Sequence, residues 1–544
     1  MFEKYHGMSF RLRMVGLTLK ILHWIFYPVF YLRQLWYKTR PLPRLRYPEL
    51  QQLSATQLAE KIRNREVTSE QVVRAYFFRC RDVNPHLNAI VEDRFKEAIE
   101  EAHAVDEALL KGDKTKEELA RDTPLLGVPL TIKGSIAVKG LSNAVGAFKL
   151  KGRKAEEDAR VVQMLREAGA IILCITNTPE LCTSWETVNY VTGRTLNPYN
   201  FARTPGGSSG GEAALISSAA SVIGVGSDMA GSIRVPAMFT GIFGHKPTAG
   251  IVPVQGHFPL MDDEEFQRIL VLGPLTRYAE DLSLMMKVMV EPHTAKLLNL
   301  DSPVSITDIK IYYKDNMGDN AIFILPMENE IKVAIKKAIH YLRSQCVFAE
   351  ELNWPELALS PEACMGKVFS IENLKTIYSI IEPLSHNKTQ PNTLLEILKS
   401  LFGLSAYTPH ALLFQSYMEN NGFLSESQLE SNKQLLESFR DKFKELLDTT
   451  GVFIYPSYPT QAPLHGEILV SSSGAYYPML ANIFGFPATS VPLGLGTNGL
   501  PVGLQVMAGP NQDRLCLAVA KKLEDVFYGW TLPNSTGLLV EHRE

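Results

Sequence analysis

Hydrophobic spacing divides this 544-residue chain into stretches of different texture. Residues 14–32 are almost continuously apolar, with Arg11 and Arg13 before them and Arg33 after. Nineteen residues at about 1.5 Å each nearly span a hydrocarbon core of about 30 Å. Lys20, His23 and Pro28 interrupt the run, so a helix lying in the membrane interface is the alternative to one that crosses. Trp24, Tyr27, Tyr31, Trp36 and Tyr37 suit the headgroup zone. No small-residue cleavage site follows, which predicts a retained anchor over residues 1–32 rather than a removed signal peptide. A helix packed on the protein's own surface is the remaining alternative. Residues 33–48 carry Arg33, Lys38, Arg40, Arg44 and Arg46 among Pro41, Pro43 and Pro48, and read as a basic linker leaving the membrane surface.

From residue 49 to 544 the pattern is that of one large α/β domain. Apolar residues recur at helical spacing over 53–91, with Ser54 placed to cap a first helix and Thr68 or Ser69 a second. Residues 92–110 continue as a charged helix. Leu126-Gly-Val-Pro-Leu-Thr-Ile-Lys133 reads as a buried strand ending on Lys133, and residues 168–176 as another, after a helix that ends near Gly169. Residues 194–211 are loop, 212–221 a small-residue helix and 222–226 a short strand. Further strands are predicted at 310–313, 452–455, 488–492 and 502–506. No internal repeat or low-complexity block is present.

Composition narrows the function classes. Apolar residues make up 45% and charged residues 21%, and the net charge is −3 with no long run of one sign. That balance supports a sizeable core and gives no electrostatic footprint for nucleic acid. The six cysteines are scattered without zinc spacing and read as reduced core residues rather than a disulfide framework.

The densest chemical signal is Thr204-Pro-Gly-Gly-Ser-Ser-Gly-Gly-Glu-Ala-Ala214, followed by Gly226-Ser-Asp-Met-Ala-Gly-Ser-Ile-Arg-Val-Pro-Ala237. Four glycines around two serines let the backbone approach a reacting group closely. The run lacks the Gly-Lys-Ser/Thr ending of a phosphate loop. It formally matches the Gly-x-Ser-x-Gly nucleophile elbow, but loop rather than an apolar strand precedes it.

These runs resemble the amidase signature family, as do Asp228-x-x-Gly231-Ser232-Ile-Arg234, Gly241-Ile-Phe-Gly-His-Lys-Pro247, Thr176-Asn-Thr-Pro-Glu180, Gly273-Pro-Leu-Thr-Arg277 and Gly499-Leu-Pro-Val-Gly-Leu-Gln505. The resemblance extends from about residue 53 to the end. It implies a large mixed sheet flanked by helices and a serine hydrolase that cleaves amides through an acyl-enzyme, with no cofactor and no metal. On matching positions it implies Ser232 as nucleophile, Ser208 as bridging serine and Lys133 as base. Family spacing selects Ser208 over Ser209. It also implies a cis peptide before Ser208, and an oxyanion hole from the backbone N–H groups of Met229, Ala230, Gly231 and Ser232. Many relatives carry Gly where Ala230 stands, so the hole requires that residue 230 not need a positive φ. Ser209, Asp228 and Arg234 are expected to brace the loop.

The chemistry is coherent. A lysine can act as base only when neutral, and burial beside an apolar strand disfavours its charged form. Eight histidines follow Ser208, of which His245 alone lies in these motifs, so counting does not exclude a histidine base.

For substrate, the N-terminal segment, Glu180-Leu-Cys-Thr-Ser-Trp and Gly244-His-Lys-Pro resemble the fatty-acid amide hydrolase branch of the family. Residues 394–418 are apolar apart from Glu396 and Lys399, and in that branch a comparable region borders the acyl-chain entrance; a helix pair covering the core is the alternative. Met479, Phe484 and Phe486 are further pocket candidates. The expected partners are a lipid amide and a membrane, an endomembrane or lipid-droplet surface among the candidates, with room for a homodimer. The competing expectations are a small-molecule or glutamine amidase of the same family, and a catalytically idle membrane scaffold. Asn387-Lys-Thr and Asn534-Ser-Thr are glycosylation acceptors if the domain faces a lumen, whereas the basic excess after the anchor favours the cytosol.

Overall fold

The continuous apolar runs resolve into one sheet of eleven strands. The computed structural model describes residues 10–37, 40–317, 325–346, 348–369, 371, 375–384, 391–420, 422 and 424–533. In chain order the strands are β1 (Ile90–Asp93), β2 (Pro129–Lys133), β3 (Ile171–Thr176), β4 (Ile223–Asp228), β5 (Phe243–Lys246), β6 (Val271–Thr276), β7 (Lys310–Tyr313), β8 (Phe348–Glu351), β9 (Gly451–Tyr455), β10 (Ala488–Leu495) and β11 (Pro501–Ala508). Their spatial order is β1-β3-β2-β4-β6-β5-β10-β11-β9-β7-β8. β2 runs parallel to β3 and β4, and β7 parallel to β9 and β8, while the pairs from β4 across to β9 are antiparallel. Every residue of β2, β3, β4, β6 and β9 is buried, because helices cover both faces.

The local signals work where capping chemistry is strong. Ser54 and Thr68 each close a capping box, with Gln57 and Gln71, at the starts of Ala55–Arg63 and Ser69–Leu87. The charged helix expected from residue 92 begins later, at Phe95, because Ile90–Asp93 pairs with β3 as an edge strand. The small-residue helix spans Gly210–Ser217 and stops four residues short of the expected 221. β5, β6 and β8 were not predicted.

At the N-terminus, Phe10–Gln34 forms one helix, and Met14–Gln34 is long and apolar enough to cross a membrane, with almost none of it buried. It meets the body beside the helix Ile468–Ser471, where His23 Nε2 lies 3.0 Å from Glu467 Oε1 and Phe30 lies next to Gly466. The expected linker is not a free tether from residue 40 onward. Leu42 is buried, Arg46 grips Asp82 through two hydrogen bonds of 2.6 and 2.7 Å, and Arg79 donates to the Pro43 carbonyl. Asn387 and Asn534 lie outside the described residues.

The region around 394–418 folds as two helices, Thr393–Leu401 and Pro409–Glu419. They divide their apolar residues between two environments. Tyr407 and Leu412 are buried in a satellite core, whereas Leu394, Leu395, Leu398, Leu401, Phe402 and Leu404 stand exposed.

Candidate active site

β2 carries its last residue, Lys133, into the interior, with no surface exposed. Its Nζ lies 2.6 Å from Ser208 Oγ, 2.8 Å from Ser227 Oγ and 3.3 Å from the Ser227 carbonyl. No carboxylate pairs with it at salt-bridge distance among the described residues. Burial therefore lowers its affinity for a proton, opposed only by Cys182, Asp228 and Glu212 nearby. Ser227 comes from the end of β4, which pairs with β2 through Thr131–Gly224 and so brings its C-terminal residues beside Lys133.

Ser208 reaches the lysine from the glycine-rich loop. The Gly207–Ser208 peptide is cis. At Gly207 a Cβ would lie 2.5 Å from the Ser184 carbonyl oxygen, and at Gly206, where φ is +90°, 2.6 Å from Pro236 Cα, so only glycine fits the turn. The Ser209 N–H donates to the Ser232 carbonyl at 3.2 Å, which ties this loop to the next. Ser209 Oγ is 3.5 Å from the Ser227 carbonyl and does not approach Lys133 in the way Ser208 does.

Ser232 lies eight per cent exposed in the loop between β4 and the helix Arg234–Thr240, and lines a cavity together with Ser208, Met229 and Ala230. Among the described residues its hydroxyl has no hydrogen-bonding partner. Asp228 braces this loop. Its carboxylate accepts from the N–H groups of Gly231 (2.7 Å) and Ile233 (3.0 Å) and pairs with Arg234 (3.0 Å), which itself reaches Gln505, Asn482 and the Pro478 carbonyl. Burial alone would raise the Asp228 carboxyl, but Arg234 and these donors hold it well below the usual carboxylate range. Asp228 and Arg234 thus tie this loop to its neighbours through these contacts.

The same contacts revise one part of the expected oxyanion hole. The Gly231 N–H is committed to Asp228, which leaves Met229, Ala230 and Ser232 as the backbone donors of this turn without a partner among the described residues. Ala230 is not in the left-handed region, so its Cβ is tolerated, whereas Gly231 has φ +95° and no room beside Pro478. Trp185 fixes this turn from the cavity side by donating its indole N–H to the Ala230 carbonyl at 2.8 Å.

Apolar side chains complete the cavity wall, among them Leu270, Leu413, Phe414, Ile468 and Met479. Met479 matches its expected place. Phe484 and Phe486 do not; both are packed in the core, where Phe484 meets Phe443 and Phe486. His245, a residue of β5, does not line the cavity; its ring is clamped between Thr489 of β10 (2.8 Å) and Asp513 (3.1 Å). Two histidines line the cavity, His257 and His410, and of these His257 approaches the lysine's surroundings, its Nε2 3.0 Å from Ser227 Oγ, a contact no local sequence signal announces.

With this geometry in view, comparison with known proteins is decisive. The family model named Amidase matches residues 71–517. The chain belongs to the amidase family. It is 39% identical over 488 residues to fatty-acid amide hydrolase 2 of Homo sapiens, covering 88% of this chain and 90% of that protein. It is 38% identical to fatty-acid amide hydrolase 2-A of Danio rerio, covering 96% and 98%. A solved structure of fatty acid amide hydrolase matches with a TM-score of 0.71 at 22% identity over 88% of this chain and 86% of that one, a likeness of fold. This amidase has the amidase-signature architecture and is an amide-hydrolysing enzyme close to fatty-acid amide hydrolase 2.

Proposed function

We propose that this amidase hydrolyses fatty-acid amides to a fatty acid and an amine by a Ser232–Ser208–Lys133 relay. The observation that carries the reading is the buried Lys133–Ser208 contact of 2.6 Å beside an unengaged Ser232 in an apolar cavity. Neutral Lys133 takes the Ser208 proton while Ser208 takes that of Ser232, and Ser232 Oγ attacks the amide carbonyl. The N–H groups of Met229, Ala230 and Ser232 stabilise the resulting oxyanion, each worth about 3 kcal/mol. Returned through Ser208, the proton goes to the departing nitrogen, so the amine leaves neutral and an acyl-Ser232 remains. Water then repeats the relay and releases the acid.

A lipid substrate is favoured by the apolar wall, by the likeness to the fatty-acid amide hydrolases and by two exposed apolar features that fit a membrane surface. These are the Phe10–Gln34 helix and the leucine-rich face of Thr393–Leu401, whose following helix lines the cavity through Leu413 and Phe414. His23 sits near the middle of the N-terminal segment yet pairs with Glu467 on the body. A crossing helix would bury that pair at bilayer depth, so an anchor lying in the interface is the better reading.

The test is Ser232→Ala, with a serine-reactive fluorophosphonate and two substrates, oleamide and a short-chain amide. Labelling and turnover should vanish with the fold intact, and the wild type should favour oleamide. Labelling retained at Ser208 or Ser209 refutes the assignment of the nucleophile; a preference for the short amide refutes that of the substrate.

A further inference from the structure

The loop after β5 brings His257 to the far side of Ser227 from Lys133. Three contacts fix it there. Ala137 donates to the Gly256 carbonyl at 3.0 Å, Phe258 donates to the Ser135 carbonyl at 2.7 Å, and Gly256 turns at φ +88° where a Cβ would meet Ala159 Cα at 2.5 Å. The imidazole is 6% exposed and lines the cavity that holds Ser232.

Its proton can be placed by elimination. Nδ1 lies 2.8 Å from the Pro259 carbonyl, which can only accept, so Nδ1 carries the hydrogen. Burial pushes the imidazole's pKa down to about 3, so the ring is neutral and Nε2 is a lone pair. Ser227 must then donate its hydroxyl proton to Nε2 at 3.0 Å. The Ser227 oxygen, 2.8 Å from Lys133 Nζ, is left to accept, and the Ser227 carbonyl at 3.3 Å accepts as well. A neutral amine has two hydrogens and one lone pair. Ser227 can take both hydrogens, which leaves the lone pair to face Ser208, with the Cys182 side chain as the amine's other close neighbour.

We propose that His257 is a positioning residue for amide hydrolysis: by accepting the Ser227 hydroxyl at Nε2, it holds that hydroxyl as an acceptor and keeps the Lys133 lone pair directed at Ser208. The proposal rests on the relay reading above. Without His257 the Ser227 proton has Lys133 as its nearest acceptor and competes with Ser208 for the same lone pair. Cys182, Asp228 and Glu212 are the other titratable groups facing Lys133, and Lys133, neutral in the relay, is the titratable group facing His257.

The test uses the full-length enzyme with oleamide across a pH series. His257→Phe fills the space but accepts nothing, and its kcat should fall about 10- to 100-fold, the scale of one misdirected buried hydrogen bond. KM should stay within about twofold if binding is untouched. The acidic limb of the rate profile should move to lower pH, because a donating Ser227 favours the neutral amine. His257→Gln, whose amide oxygen can accept, should recover most of the rate. In a Ser227→Ala background, His257→Phe should add no further loss. A change in KM alone would make His257 a wall of the pocket and overturn the proposal, as would equal losses in the Phe and Gln variants. Should Lys133→Met keep amide turnover, the relay itself fails; if Lys133→Met is dead while the His257 variants match wild type, only this inference does.

Discussion

Replacing Lys133 with methionine removes the amine while keeping the volume of the side chain at the end of β2. General base help is typically worth about 10²- to 10⁴-fold, or about 3 to 5 kcal/mol of barrier, and kcat for a fatty amide should fall by that range. Stability should change less. Two acceptors at Ser227 lose a donor, at about 1 to 3 kcal/mol each, while the cost of holding an amine in a dry interior disappears. The pH sign follows from burial. In the proposed relay the active form of Lys133 is the free amine, and its pKa is depressed, so the wild-type rate should climb as the ammonium loses its proton and be flat above that point. The methionine variant should lack this limb. A matched amide and methyl ester of one fatty acid supply the assay, because an alkoxide departs more readily than an amide anion and needs less protonation. The ester rate should fall less than the amide rate. An amide rate above one tenth of wild type, an intact acidic limb, or equal losses on both substrates would refute Lys133 as the shuttle.

Other changes test the surroundings. Deleting residues 1–36 should shift the enzyme out of the membrane fraction while leaving turnover of a soluble amide; the cut falls there because Leu42 and Arg46 are packed on the body. If the truncated enzyme sediments with membranes, Leu398→Ser with Leu401→Ser should release it, as both side chains are exposed beside the cavity-lining helix. Glu212 is buried between Thr131 and Thr176, and burial raises its pKa from 4.5 to about 8. The native carboxyl keeps a proton that the unfolded chain loses, so this group's contribution to stability declines as pH rises from 4.5 towards about 8. Glu212→Gln should flatten that decline in thermal midpoints, and an unchanged slope would refute the assignment.

The sequence made legible what is locally encoded. Capping boxes at Ser54 and Thr68 announce two helices, and the apolar run into Lys133 announces β2, because burial on both faces leaves no alternation to read. β6 was missed because Gly273 and Pro274 break its run, and β8 because three of its four residues are exposed at the sheet edge. At the site, Ser208 and Ser232 are picked out as candidates by the motifs that resemble the family. His257 is not, since its loop reaches Ser227 only through contacts with residues 135–137 after β2. Phe484 and Phe486 were misjudged for the converse reason: an aromatic pair near Met479 in sequence turns away from the cavity, into the core.

The segment from Leu181 to Trp185 forms one side of the cavity, but it is also the surface against which Gly207 is pressed and the source of the indole that holds Ala230. The next residue, Glu186, is locked by His465 at 3.1 Å and by the Gly466 N–H at 2.8 Å, just before Ile468 and Leu469, which also line the cavity. Recognition and reactivity therefore share one mechanical part. Under the proposed relay, a variant enzyme reshaped here to accept a different acyl chain will carry the change directly into the alignment of Ser208 and of the turn at Ala230, so selectivity and turnover would be inherited together rather than tuned apart.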